Sequence, residues 1–208
     1  MMPTSSALES SQLLVLASAS PRRRDLLASV GIAFSVVPSE LPEELLPGET
    51  PREHVLRLSR EKATQVAAQA GIAGRWFLGS DTIVLRDDTV LGKPRDAAEA
   101  ADMLRSLSGR SHQVISGYAV HDRQRGVTEA GAVQTTVWFK PLTAAEIAGY
   151  IATGEPMDKA GAYAIQGIGA FMVKAIEGSY TNVVGLPLCE VVELLERLGA
   201  IRLFDPQG

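Results

Sequence analysis

The sequence predicts an α/β fold with a mixed, twisted sheet flanked by helices. Short apolar runs typical of buried strands alternate with segments that begin at helix-capping residues and end at glycine. Polar turns at Asp87-Asp88 and at residues 122–126 separate strand-like runs that are close enough in sequence to pair as hairpins. Because the alternation favours parallel pairing and the hairpins favour antiparallel pairing, both kinds are expected in one sheet.

The composition limits the kinds of partner that the protein can have. Its 208 residues fit one domain of two lobes or two small domains, and the net charge is −4. An acidic chain is a poor ligand for nucleic acid polymers, which bind a broadly basic face. No apolar run reaches the length of a membrane span, and residues 1–12 are predicted to be a disordered tail without signal-peptide features. The single cysteine, Cys189, suits a reducing compartment, so a cytoplasmic location is expected.

The first half of the chain is predicted to contain two capped helices. Ser20 suits an N-cap, Pro21 suits the first helical position, and Gly31 suits the end of that helix. Thr50 and Glu53 have the spacing of a capping box, so a second helix is expected from Thr50 to about residue 70. The remaining segments are predicted as strands at 13–17 and 32–37 and a proline-broken loop at 38–48.

The second half is predicted to supply most of the sheet. Two further helices begin at residues with cap spacing, Asp96 with Glu99 and Thr143 with Glu146. Cys189 is expected in the core, on the closing helix. The predicted order is strand 76–85, strand 89–91, helix 96–107, strands 112–120 and 127–139, helix 143–153, a glycine-rich loop 154–169, strand 171–176, a turn with a short strand at 178–185, and helix 186–198.

Three consecutive arginines, Arg22 to Arg24, occupy the first turn of the first predicted helix. The helix dipole makes this position unfavourable for cations, so the triplet calls for an explanation. One interpretation is a solvated basic turn. The other is an anion site, in which arginines act with unpaired backbone N–H groups and the hydroxyls of Ser18 and Ser20. The adjoining strand and cap favour a phosphate site.

Charged residues also occur where apolar ones are expected. Asp81 interrupts the most strand-like run of the chain, either as a structural acid or as a catalytic or metal-binding one. Lys62 lies on or beside the apolar stripe of its helix, so its ammonium either reaches water or enters an anion site. Glu40, Glu43 and Glu44 in the loop are either solvated or supply one metal ligand.

Taken together, the polar residues that do not fit the structural pattern suit a triphosphate and one divalent metal ion. The carboxylates Glu43 and Asp81 suit one Mg²⁺ or Mn²⁺. Scattered histidines and one cysteine offer no zinc spacing, and neither GxxxxGK[ST] nor GxGxxG occurs. The cations of the set are Arg22, Arg23, Lys62, Lys93 and Lys159.

Six ordered segments resemble the Maf family of nucleotide pyrophosphatases, from residue 13 to about residue 198. They are ASASPRRRDLL, GSDTIV, LGKPRD, LSGRSHQV, DKAGAYAIQGIGAFMV and VVGLPL. The resemblance implies a Maf/ITPase-like α/β fold, a single domain over 13–202 with two lobes around a central cleft, and a short tail at 203–208. It also implies a divalent metal, a homodimer, and hydrolysis of triphosphates to the monophosphate and pyrophosphate. The stretch GEPMDKAGAYAIQG is similar to the branch acting on dTTP and UTP.

The same resemblance implies roles for individual residues. Asp81 is expected to accept a proton and, with Glu43, to bind the metal; Glu40 competes with Glu43 for that role. The amide of Gln166 can match the N3–H and O4 groups of uracil or thymine. The other expected substrate-binding and specificity residues are Ser18, Ser20, Arg22, Arg23, Lys62, Thr82 and Lys93.

Two other functions stay open from the sequence. One is a pyrophosphatase for a methylated or otherwise modified purine triphosphate. The other is a nucleotide-binding regulator of cell division without catalysis. The intact set of acids argues against a protein that only binds. A panel of triphosphates with pyrophosphate detection separates all three hypotheses.

Overall fold

The computed structural model describes residues 14–204, so the predicted tail 1–12, Leu13 and residues 205–208 lie outside the described residues. A seven-stranded mixed sheet has the order β2-β1-β3-β5-β6-β7, with β4 also paired to β3. The strands are β1 (Leu14–Leu16), β2 (Phe34–Val36), β3 (Trp76–Arg86), β4 (Thr89–Leu91), β5 (Ser111–Asp122), β6 (Val127–Phe139) and β7 (Val173–Glu177). The predicted mixed α/β fold is therefore confirmed.

Six α-helices flank the sheet within the described residues. They are α1 (Pro21–Ser29), α2 (Pro51–Ala67), α3 (Ala97–Leu107), α4 (Ala144–Ala152), α5 (Tyr180–Val184) and α6 (Leu188–Arg197). The capping boxes predicted at Thr50 and Thr143 are both present. Between 14 and 204, no helix combines the length and the apolar character that crossing a membrane requires.

Strand β3 joins the parallel and antiparallel halves of the sheet. One edge of β3 pairs with β5 along residues 76–85. The other edge pairs with β1 over residues 76–78 and with β4 over residues 84–86. Residues 79–83 therefore have no strand partner on that second edge among the described residues. This gap lies at the carboxyl end of β1, the kind of place where α/β sheets bind ligands.

Helix α2 lies directly against the sheet opposite two glycines. A Cβ at Gly79 would be 2.1 Å from the Ser59 carbonyl oxygen, and one at Gly117 would be 2.2 Å from the Val55 carbonyl oxygen. A glycine inside a strand commonly marks such a close approach. This close approach brings Lys62 of α2 beside β3.

Two hydrophobic clusters form the two lobes. One cluster contains Leu14, Leu27, Trp76 and Leu195, which come from β1, α1, β3 and α6. The other cluster is built from the far end of β3 with α3, β5, β6, α4 and the segment around Tyr163. The gap in the edge of β3 lies between them. Leu203, which falls in the predicted C-terminal tail, packs on the first cluster.

Two expectations about the C-terminal region are wrong. Residues 178–185 were expected to contain a short strand, but residues 180–184 form helix α5, because the Ser179 side chain accepts the Asn182 N–H and caps a helical turn. Cys189 was expected in the core but is exposed. The buried face of α6 is occupied by Val191, Leu194 and Leu195, which leaves Cys189 on the outer face.

Candidate active site

A cavity of about 600 Å³ opens at the gap in β3, a volume typical of small-ligand sites. Asp81 and Thr82 both line it, although neighbouring strand residues point to opposite faces. The cavity reaches both faces because, between residues 14 and 204, no strand pairs with this edge of β3 over residues 79–83. The charged side chains that line it are Arg22, Arg23, Glu43, Lys62, Asp81, Lys93, Asp158 and Lys159.

The cavity is electropositive although the protein as a whole is acidic. Its lining contains five cationic and three anionic side chains, whereas the whole chain carries a net charge of −4. Positive charge concentrated in a cleft attracts anionic ligands and raises their local concentration. All five cations that were predicted from the sequence, including Lys159, lie in this lining.

The turn between β1 and α1 forms one wall. Ser20 occupies the N-cap position, but its side chain makes no capping hydrogen bond. Instead the Ser18 hydroxyl accepts the Ser20 N–H at 3.2 Å. Arg22 lines the cavity, and its Nη1 lies 3.4 Å from Asp158 Oδ2 on the opposite wall. This long, partly exposed ion pair is worth little, so an anionic ligand can replace it.

Arg23 ties three segments together beneath this turn. Its Nε donates to the Gly185 carbonyl at 2.8 Å and its Nη1 to the Ser80 carbonyl at 2.8 Å. Its Nη2 donates to Thr82 Oγ1 at 3.0 Å. The Ser80 contact satisfies a carbonyl in the gap of β3. Burial lowers the pKa of Arg23, an effect that the charges of Asp81 and Glu43 oppose.

The Arg23 guanidinium is therefore paired with neutral oxygens rather than with a carboxylate. Its positive charge is not cancelled by direct contact, and it is available to a bound anion through space. Sequence reasoning placed Arg23 among the substrate ligands. The structure also gives it a scaffold role that was missed, because backbone carbonyl partners leave no signal in the sequence.

Lys62 lies between the two predicted metal-binding carboxylates. Its ammonium donates to Glu43 Oε1 at 2.6 Å and to Asp81 Oδ1 at 2.7 Å. Lys62 and Asp81 are both about 5% exposed, so the pair is shielded from water. Glu40, the alternative to Glu43, bonds through its backbone to the Gln65 side chain and does not line the cavity.

The loop that carries Glu43 is anchored by a buried carboxylate that sequence reasoning missed. Glu49 accepts from Arg57 Nε at 2.6 Å and contacts His54 Nδ1 at 3.0 Å. Hydrogen bonds from Arg57 hold the pKa of Glu49 at about 2. Arg57 also donates to the Glu44 carbonyl at 3.0 Å. The contacts join a loop to a helix, so no short sequence motif predicts them.

The wall opposite Arg22 comes from Lys93 and from the segment between α4 and β7. Three short 3-10 turns organise this segment, at Glu155–Asp158, Ala160–Ala162 and Gly167–Met172. Gln166 lies between the last two turns and lines the cavity. The apolar part of the lining includes Val84, Val114 and Tyr163, which the sequence-based prediction did not include. Every predicted site residue except Glu40, the alternative to Glu43, thus borders one cavity.

Glu43 and Asp81 are too few to hold a divalent cation alone, and they fit one only when a bound ligand supplies further oxygen atoms. Glu43 and Asp81 each lie within hydrogen-bond distance of one cationic nitrogen, so both oxygens can approach a common positive centre. Residues 14–204 contain no group of three or more His, Cys, Asp or Glu side chains that could hold a metal ion. One or two carboxylates completed by substrate phosphates is a common way for proteins to bind Mg²⁺.

Known proteins are similar to this chain in sequence. A dTTP/UTP pyrophosphatase from Syntrophotalea carbinolica is 72% identical over 92% of this chain and 87% of that protein. A second, from Geobacter sulfurreducens, is 60% identical over 90% of this chain and 97% of that protein. Protein VC0702 from Vibrio cholerae aligns with a TM-score of 0.39 and 9% identity, over 69% of this chain and 78% of that chain. That structural likeness is too weak to support an argument. The family described as Maf-like protein matches residues 13–198, and the chain belongs to the Maf family.

Proposed function

We propose that this protein hydrolyses dTTP and UTP to the nucleoside monophosphate and pyrophosphate. Relatives named dTTP/UTP pyrophosphatase are 72% and 60% identical to it over at least nine-tenths of its length. The observation that carries the proposal is the arrangement of one cavity. Buried Asp81 and Lys62 line it together with further arginines and lysines, and Gln166 borders it as well.

The cations bind the phosphates. Arg22 and Lys93 border the cavity with side chains that can turn towards an anion, and charge-assisted contacts to phosphate are strong. Lys159, which is bound to Asp158 and to the Glu155 carbonyl, adds its charge to the same wall. The Arg22–Asp158 contact opens when a phosphate takes the place of the carboxylate. Arg23 contributes its charge from beneath the turn. Stabilising the negative charge that develops on the leaving pyrophosphate lowers the barrier.

Asp81 orients and deprotonates the attacking water. The water oxygen forms a bond to the α-phosphorus, and its proton passes to Asp81. The bond between the α-phosphorus and the oxygen that bridges to the β-phosphorus breaks, and pyrophosphate leaves with that electron pair. Lys62 donates a hydrogen bond to Asp81 Oδ1 and fixes the direction in which the carboxylate points.

A divalent metal ion bound to Glu43 and Asp81, Mg²⁺ or Mn²⁺, would polarise phosphate oxygens and lower the pKa of water. The residues of this chain have further tasks around it. The Glu49–Arg57 pair holds the loop of Glu43 in place, and α2 holds Lys62. A homodimer, which the family resemblance implies, and a cytoplasmic location, which the single cysteine favours, stay predictions.

Gln166 reads the pyrimidine base. Its carbonyl oxygen accepts from N3–H and its NH₂ group donates to O4 of uracil or thymine. The apolar side chains of Val84 and Val114 give that end of the cavity a surface suited to a ring and to the methyl group of thymine. A site built on such hydrogen bonds rejects bases with a different donor pattern, because its own polar groups would lose their partners.

A panel of triphosphates tests the proposal. The purified full chain is incubated with each canonical and methylated nucleoside triphosphate, with Mg²⁺, with Mn²⁺ and with chelator, and released pyrophosphate is measured. We expect dTTP and UTP to be turned over fastest and chelator to abolish turnover. Preference for a methylated purine would assign a different substrate, and tight binding without pyrophosphate release under all conditions would assign a regulator.

A further inference from the structure

Glu155 begins the segment that carries Gln166 and bonds back to the far end of the same segment. Its Oε1 accepts the Gly169 N–H at 2.9 Å, and its Oε2 accepts the Ile168 N–H at 3.0 Å. Oε1 also accepts the hydroxyl of Tyr150, a buried residue of α4, at 2.9 Å. One carboxylate thus closes residues 155–169 into a loop and ties it to a helix.

The backbone of Glu155 is itself held by two hydrogen bonds. The Glu155 N–H donates to Thr153 Oγ1 at 3.1 Å, and the Glu155 carbonyl accepts from Lys159 Nζ at 2.6 Å. Burial raises the pKa of Glu155, but hydrogen bonds from Gly169, Ile168 and Tyr150 outweigh it and leave that pKa below its ordinary value. The group is therefore an anion at neutral pH, and charge strengthens each bond that it accepts.

The backbone after Gln166 is shaped to meet this carboxylate. Gly167 has a φ of +73°, and a Cβ there would lie 2.7 Å from Glu155 Oε2. A Cβ on Gly169 would lie 2.6 Å from the Tyr150 hydroxyl. Both glycines are needed for the backbone to reach the oxygens, one because of its positive φ and the other because of close contact.

Glu155 does not line the cavity, whereas Ala164, Ile165 and Gln166 do. The N–H groups that it binds belong to the second and third residues after Gln166. We propose that Glu155 is a positioning residue, which fixes the backbone on which Gln166 is presented to the base. This inference rests on the proposed function, because it concerns how the base is read.

The substitution Glu155→Gln tests this role at constant side-chain size. The NH₂ group of glutamine cannot accept, so at least one backbone N–H loses its partner and the loop loosens. We expect the ratio of kcat/KM for UTP to that for CTP to fall about tenfold, the scale of one lost charge-assisted hydrogen bond. The rise in KM for UTP should exceed the fall in kcat, because Asp81 and Lys62 lie on other elements.

Glu146→Gln is the matched control in the same lobe. Glu146 caps α4 and pairs with Lys140, but it does not touch the segment 155–169. Glutamine also forms a capping box, so this variant loses mainly the ion pair with Lys140. It should lower the melting temperature modestly and leave the UTP-to-CTP ratio unchanged. If both variants change the ratio equally, Glu155 has only a general structural role and the inference is overturned.

A double variant separates positioning from independent effects. In a Gln166→Ala background the base-reading amide is gone, so adding Glu155→Gln should change the UTP-to-CTP ratio by less than twofold. A second tenfold fall would overturn the inference. Wild-type protein that turns over no triphosphate would overturn the proposed function instead, so the two failures are distinguishable.

Discussion

The Lys62 ammonium lies 2.7 Å from Asp81 Oδ1, and the same nitrogen lies 2.6 Å from Glu43 Oε1. A helix, a strand and a loop thus converge on one buried cation. Two carboxylates around one ammonium leave a net negative charge, which suits a further cation once phosphates arrive. The pair Lys62–Asp81 is also vulnerable, since removing one partner leaves the other charge buried.

Asp81→Asn should leave a folded protein that has lost activity by at least about a hundredfold, because the general base is gone. The amide oxygen can still accept from Lys62, and Glu43 still neutralises the ammonium. Pyrophosphate release from UTP and the thermal unfolding curve should be measured on the same preparation. Turnover near the wild-type rate would eliminate Asp81 as the proton acceptor.

Asp122→Asn is the control for this prediction. Asp122 is 3% exposed and paired with Arg75 at 2.7 Å, so it is as buried as Asp81 but does not line the cavity. This variant should lose stability and keep kcat. Opposite behaviour of two buried aspartates separates catalysis from the general cost of removing a buried carboxylate.

Gly79→Ala should reduce both stability and activity. The new methyl would collide with the Ser59 carbonyl of α2, and relief requires the helix to move away from the sheet and Lys62 to move away from Asp81. Overpacking of this kind costs about 1–3 kcal/mol. A Cβ at Gly149 in α4 would have no other atom within 4 Å, so Gly149→Ala should instead stabilise the folded protein by about 0.5–1 kcal/mol. Urea unfolding of both variants measures the contrast, and equal effects would contradict it.

Local signals in the sequence predicted most helices and strands, but not how these elements pair and pack with one another. The capping boxes at Thr50 and Thr143 act within four residues, so they are visible in the sequence. Helix α5 was missed because its cap, Ser179, opens a turn too short for any periodicity. The gap in the edge of β3 depends on where β1 ends and β4 begins to pair, which no single segment encodes.

The candidate site was predictable as a set of residues and not as an arrangement. Arg22, Lys62 and Asp81 stood out because each is a charge at a position that favours an uncharged or opposite residue. Which glutamate joins Asp81 as the second metal ligand was open, since Glu40 and Glu43 lie on one irregular loop. The contact between Glu43 and Lys62 is decided by the Glu49–Arg57 anchor, which joins residues eight positions apart.

Arg23→Lys should cost at least about 2 kcal/mol of unfolding free energy, because one ammonium cannot reach the carbonyls of Ser80 and Gly185 together with Thr82. Activity should fall with it, since the turn and the gap of β3 lose their common support. Arg24→Lys on the same turn is the control. The Arg24 side chain is exposed and bonds only to Asp25 among the described residues, so its replacement should change the unfolding free energy by no more than about 0.5 kcal/mol. Equal losses in the two variants would contradict the scaffold role.

Gln166→Glu should reduce the preference for UTP and dTTP more than it reduces stability. A carboxylate still accepts from N3–H, but it faces O4 with a second acceptor, and it fits the amino group of cytosine instead. Steady-state kinetics with UTP, CTP and GTP measure the change. Gln134→Glu, an exposed position on β6, adds the same charge elsewhere and should leave all three unchanged. An unaltered UTP-to-GTP ratio in Gln166→Glu would refute base reading by this side chain.

Because of His112, the free energy of unfolding should fall as the pH is lowered from 6.5 to 4. Its Nε2 lies 2.7 Å from the Tyr163 hydroxyl, while its Nδ1 is buried without a hydrogen-bond partner in the described part of the chain. Burial lowers the pKa of His112 from 6.5 to about 4. The unfolded chain therefore binds a proton below pH 6.5 that the folded protein refuses until about pH 4, so folding is penalised as pH falls through this window.

His112→Gln removes the titration and keeps a polar group near Tyr163. The free energy of unfolding should be measured by urea at pH 7 and at pH 4.5 for both proteins. Between these two values the wild type should lose up to about 2–3 kcal/mol more than the variant, since one pKa unit corresponds to about 1.4 kcal/mol. Parallel losses would mean that other groups carry the acid sensitivity. Because Tyr163 also lines the cavity, a change in KM without a change in the pH slope would assign His112 to the shape of the site rather than to its stability.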